Sequence, residues 1–114
     1  MQATIDLKIY SRRTDYLHIA SHHFIVCRGI DENYRVAEWV NCKTPLHLFT
    51  CASFLGKECK SFGKFRLEQV KEAIDYATYG KTYCYLRYNC NSWVEMVIMR
   101  LGFKIKVKWN CKCF

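Results

Sequence analysis

Tyr88-Asn89-Cys90-Asn91-Ser92-Trp93-Val94, running on through Val97 and Leu101 to Gly102, is the stretch from which the rest of the chain can be read. Asn89 is a residue type that accepts hydrogen bonds from the orphan amides of a helix start. Behind it Cys90, Trp93, Val94, Val97 and Leu101 recur at the spacing of one helical face, and Gly102 stands where a helix commonly closes. The spacing predicts a helix beginning near Asn89, with Cys90 in its first turn and facing inward. Partial positive charge at a helix N-terminus stabilises a thiolate, and the amides there can hold a developing oxyanion. A nucleophilic cysteine is served by that placement; a small buried hydrophobe on a helix face fits the same spacing.

Working outward, Leu67, Val70, Ile74 and Ala77 share one helical face, with Glu68, Lys71, Glu72 and Asp75 outside and Gly80 at the end. Near the N-terminus, residues 4–10 alternate, with Ile5, Leu7 and Ile9 on one side and Asp6 and Lys8 on the other, as in a half-buried strand. Residues 11–18 are polar and basic and predict a loop. The dense run Phe24-Ile25-Val26-Cys27 follows His22-His23 and stops at Gly29, which predicts a central strand. After the turn cluster Asp31-Glu32-Asn33, residues 34–40 supply the partner of a hairpin. Residues 41–66 hold the sole proline, scattered cysteines, Gly56 and Gly63, and predict no regular element. The tail, residues 103–109, alternates again, with Lys104, Lys106 and Lys108 on one face and Phe103 and Trp109 on the other. The expectation is a single α+β domain over residues 1–114, an antiparallel sheet packed on helices.

A cysteine nucleophile needs a base, and the chain has four histidines. His18 and His47 fall in expected loops, whereas His22 and His23 enter the central strand. Glu38 sits in the apolar stretch Val36-Ala37-Glu38-Trp39-Val40, where a carboxylate is costly unless paired. Register parity decides which imidazole it meets. Pairing of Gly29 with Tyr34 puts His23 and Glu38 on one face; pairing of Arg28 with Tyr34 puts His22 there instead.

The totals bound the function. The 114 residues carry a formal charge of +8, a field that favours phosphate-bearing partners. No run approaches the ~20 apolar residues that cross a bilayer. The N-terminus lacks the basic stretch and apolar core of a signal peptide, so a cytoplasmic protein without a membrane span is expected. The eight cysteines show no paired C-x-x-C spacing. A zinc set can be drawn from Cys42, His47, Cys51 and Cys59, but without the short knuckles such sites use. A disulfide framework needs an oxidising compartment, so most of the cysteines are expected reduced and buried. Lys104, Lys106 and Lys108 could contact phosphates, or could protect an edge strand from pairing.

The order of these segments resembles the lecithin:retinol acyltransferase-like, H-box/NC proteins. Asn89-Cys90 with Trp93-Val94 and the closing Leu101-Gly102 is similar to their NC box, His23-Phe24-Ile25-Val26-Cys27-Arg28-Gly29 to their H-box, and Asp6-Leu7-x-Ile9 to their first strand. The resemblance covers most of the chain. It implies the circularly permuted papain-like fold shared with NlpC-type and PPPDE peptidases, with Cys90 as nucleophile, His23 as general base and Glu38 as the third polar residue. The pattern departs at Ile25, where a small residue is usual, at Glu38, where histidine is common, and in lacking a hydrophobic anchor. A small basic protein of this kind also resembles the versions found within some picornaviral polyproteins, for which activity is not implied.

Three functions follow as expectations. The first is thiol acyl transfer or hydrolysis on an acyl or lipid substrate through a thioester. The second is a non-catalytic viral protein that binds RNA or host proteins through a basic surface. The third is a cysteine peptidase with the same residues. None calls for a cofactor or metal.

Overall fold

A computed structural model describes residues 4–13, 21–29, 34–39, 46–49, 56–84 and 87–103. Its elements in chain order are strands β1 (Thr4–Arg13), β2 (Ser21–Gly29), β3 (Tyr34–Ala37), β4 (Leu46–Phe49) and β5 (Lys57–Arg66), then helices α1 (Leu67–Thr78) and α2 (Cys90–Arg100). The strands form one antiparallel sheet in the order β4-β3-β2-β1-β5, with the helices against it, so the fold is α+β as the patterning predicts.

Alternation along β1 decides which face is which. Ile5, Leu7 and Ile9 are buried under the helices, and across the ladder they meet Gly29, Cys27 and Ile25 of β2. The opposite face of β2 is also covered: Phe24 and Val26 are buried with Val36 of β3, and Tyr10 and Tyr34 pack against them. A strand buried on both faces reads as a continuous apolar run, which is why residues 24–27 do not alternate.

The segment 41–66 is a correction. It contains β4 and the ten-residue β5, which pairs with β1 along its length. Two register shifts in that pairing, between Leu7/Lys8 and Ile9/Tyr10, leave Phe62 and Cys59 as extra residues on β5, and both pack on the core. Gly63, at φ +91°, takes the left-handed backbone beside the first shift. Strand β1 also runs to Arg13, past the expected end at residue 10, and β3 stops at Ala37, short of residue 40. The expected strand at 103–109 lies, from residue 104 on, outside the described residues.

Both helices start where the period changes. At α1, Gln69 Oε1 accepts the Arg66 amide at 3.2 Å, and Val70, Ala73, Ile74 and Ala77 face the sheet. Gly80, at φ +70°, turns the chain out of that helix. At α2 the inner face is Cys90, Trp93, Val94, Val97 and Ile98; Leu101 is only half-buried. The helices are locked together by Trp93, whose Nε1–H donates to Thr78 Oγ1 at 3.0 Å while that hydroxyl donates to the Ile74 carbonyl at 2.7 Å. Trp39, following β3, stacks on Trp93 at 6.3 Å and donates its Nε1–H to the Tyr88 carbonyl at 3.2 Å. The indole pair thereby fixes the sheet to the start of α2. No helix among the described residues is long and apolar enough to cross a membrane.

Candidate active site

Asn89 is extended (φ −97°, ψ −170°) and its Oδ1 accepts the Ser92 amide at 3.2 Å, so the cap expected from the sequence is made. Cys90 is therefore the first helical residue, with its side chain on the buried face at 1% exposure. Its sulfur is disulfide-bonded, to a partner outside the described residues. The expectation of reduced cysteines holds for Cys27, Cys59 and Cys84, which are free thiols, and fails for Cys90. A disulfide sulfur is no nucleophile, so thiolate chemistry at Cys90 requires prior reduction. Cys27 offers no substitute, because burial pushes its thiol up to about 12.

His23 follows the parity of Ile25 and Cys27, so it lies on the helix-facing side of β2, directly across from Ser11 of β1. It is fully buried, and burial, helped by the neighbouring His22 charge, brings it down to about 4. At neutral pH the ring is uncharged, and the burial that keeps it so also makes it a weaker base than an ordinary imidazole. Helix α2 packs on β2, and Cys90 and His23 thus belong to the same side of the sheet. Trp39 and Trp93 stack on each other on this side of the sheet, Trp93 one helical turn from Cys90.

Glu38 does not join them. Arg28 pairs with Tyr34, the second of the two registers left open by the sequence. Continuing that pairing puts Trp39 opposite His23 and turns Glu38 to the other face, beside His22 and Phe24. There His22 Nε2–H donates to Glu38 Oε1 at 2.7 Å, and Arg12 Nη2 donates to the same oxygen at 3.2 Å. Phe24 forms the floor: His22 stacks on it at 5.7 Å and the Arg12 guanidinium lies 5.3 Å from its centroid. The structure therefore brings Cys90 and His23 to one side of the sheet and assigns Glu38 to a separate His22–Glu38–Arg12 cluster.

That cluster was half visible in the sequence, since a carboxylate in an apolar stretch demands a partner, but Arg12 stood in an expected loop. A second feature was hidden by the β5 bulges: Lys57, Lys60, Lys64 and Arg66 are exposed along this strand, which ends the sheet among the described residues. Lys104, Lys106 and Lys108 lie outside the described residues, as do the side chains of Cys42, His47 and Cys51 from the zinc set. Cys59 donates its S–H to Ser11 Oγ at 3.2 Å, and no metal-holding group of three His, Cys, Asp or Glu occurs among the described residues.

Comparison of the chain with protein-family models, with curated proteins and with solved structures gave no match.

Proposed function

We propose that the chain is a thiol acyl-transfer or hydrolase domain of permuted papain-like architecture, the H-box/NC arrangement that its sequence resembles, working through a Cys90–His23 dyad in the reduced protein. The observation that carries this is the capped start of α2. Cys90 opens a helix whose first turn is held by Asn89, on the side of the sheet to which His23 belongs. In the reaction the neutral His23 ring takes the Cys90 proton. The thiolate adds to the carbonyl carbon of the substrate, and first-turn amides stabilise the oxyanion. Collapse expels the leaving group, protonated by His23, and leaves a Cys90 thioester. Water or an acceptor hydroxyl or amine then releases the acyl group and restores the thiol. Glu38 has no part in this scheme.

The test is acyl labelling of the protein after treatment with a dithiol, read by mass spectrometry with an activated ester as probe. An adduct at Cys90 that requires the dithiol and disappears in Cys90→Ala supports the dyad. Labelling only at Cys27, Cys59 or Cys84 contradicts it.

A second reading is favoured by the 1% exposure and oxidised state of Cys90 together with the basic β5 edge. In it the same scaffold is non-catalytic and binds RNA through Lys57, Lys60, Lys64 and Arg66, with Lys104, Lys106 and Lys108 adding charge. Such binding weakens steeply as salt rises, because each neutralised phosphate releases counterions. Binding that does not change with salt, or none near physiological ionic strength, would remove it.

A further inference from the structure

We infer that the groove between α1 and α2, on the surface facing away from the sheet, docks an arginine-bearing segment of a partner protein. The groove, of about 500 Å³, is lined by Glu72, Asp75, Tyr76, Tyr79, Lys81 and Met96. One end of it shows what the other is suited to hold. Glu72 and Tyr76 are four residues apart on α1, and together they seat the Arg100 guanidinium. Nε and Nη2 donate to the Glu72 carboxylate at 3.1 and 2.8 Å, and Cζ lies 4.5 Å from the Tyr76 ring centroid. Carboxylate below and aromatic face alongside is a guanidinium site in miniature.

Asp75 and Tyr79 repeat that spacing three residues on. The Tyr79 amide still donates to the Asp75 carbonyl at 2.8 Å, so the helical offset between the two residues is kept. No ion pair or cation–π contact fills this second seat among the described residues. Lys81, which also lines the groove, has its ammonium over the Tyr88 ring at 5.7 Å. Tyr79 is 89% exposed, an unusual state for a large aromatic and a common one for an interface anchor. Met96 supplies the apolar floor on which the stem of an arginine would lie. With Glu72 already paired to Arg100, Asp75 is the carboxylate of the groove left for an incoming guanidinium. The inference stands apart from the thiol chemistry and survives its failure.

The experiment is an NMR titration of the full chain at physiological salt with a short glycine-serine peptide carrying two arginines, against versions with lysine, glutamate or leucine in their place. Saturable shifts confined to Asp75, Tyr76, Tyr79 and Met96 with the arginine peptide are expected. Tyr79→Ala and Asp75→Asn, both surface changes that keep the melting temperature, should each weaken binding about two- to fivefold. Equal binding of the lysine peptide, tighter binding of the leucine peptide, or unchanged affinity in the two variants overturns the assignment. So does the appearance of the same shifts on concentrating the protein alone, which would make the occupant a second copy of this chain.

Discussion

His22 Nε2 lies 2.7 Å from Glu38 Oε1, on the face of the sheet opposite His23. Arg12 joins the cluster, so among the described residues the carboxylate is met by a ring N–H and a guanidinium N–H while only 16% of its side chain is exposed. Replacing it by Glu38→Gln removes the charge from both bonds and should cost about 1–2 kcal/mol of stability in denaturant unfolding. Acyl labelling of reduced Cys90 should be unaffected. Loss of labelling in a folded Glu38→Gln protein would restore Glu38 to the catalytic machinery.

His23 makes stability depend on pH in a definite direction. Its folded value, about 4, is below the ordinary 6.5 because burial disfavours the charged ring and His22 adds to that. Between those values the unfolded chain takes up a proton that the folded chain refuses. This contribution is complete above about pH 6.5 and falls as pH drops through the window, the loss reaching about 3 kcal/mol by pH 4. Chemical denaturation at pH 7 and pH 4.5 should show the loss, and His23→Gln should reduce the difference between the two. A variant with the wild-type difference would place the titration elsewhere.

Gly56 gives a steric prediction. A Cβ there would lie 2.8 Å from Phe24 Cζ and 3.2 Å from the Ser11 carbonyl oxygen. Phe24 is fully buried, with His22 stacked on it and Arg12 over it, so its ring has little room to yield. Gly56→Ala should destabilise by about 1–3 kcal/mol, measured by thermal or denaturant unfolding. A neutral effect would mean that the Phe24 floor is loosely packed.

Trp93 carries the joint between the helices and the sheet. In Trp93→Phe the Thr78 hydroxyl keeps its bond to Ile74 but loses the indole donor, and the stack with Trp39 shrinks. A loss of about 2–3 kcal/mol is expected, from an unmade hydrogen bond and a small cavity. Thr78→Val in the same background should add less than it does alone, since the two residues share one bond.

What the sequence revealed follows from how each element is buried. The runs at Phe24–Cys27 and Val70–Ala77, and the Asn89 cap, are legible because a strand covered on both faces and helices with one covered face leave plain periods. Strand β5 is an edge whose exposed lysines interrupt the pattern, and its extra residues, Cys59 and Phe62, break the alternation at the bulges. No period of two survives for a reader to find. The role of Glu38 turned on a single-residue choice of register, Arg28 rather than Gly29 opposite Tyr34, which flips every side chain of β3. Cysteine pairing has no local signature at all, and the oxidised state of Cys90 could not be read from its neighbours.

The most direct measurement is the pH dependence of alkylation at each cysteine of the reduced protein, followed by mass spectrometry with Cys27, Cys59 and Cys84 as comparators in the same chain. A Cys90 activated by the helix start should react at a lower pH than an ordinary thiol, and faster than the other three. If Cys90 reacts only at alkaline pH, or stays unreactive after reduction, the thiol-enzyme account is contradicted and the basic β5 edge becomes the working surface.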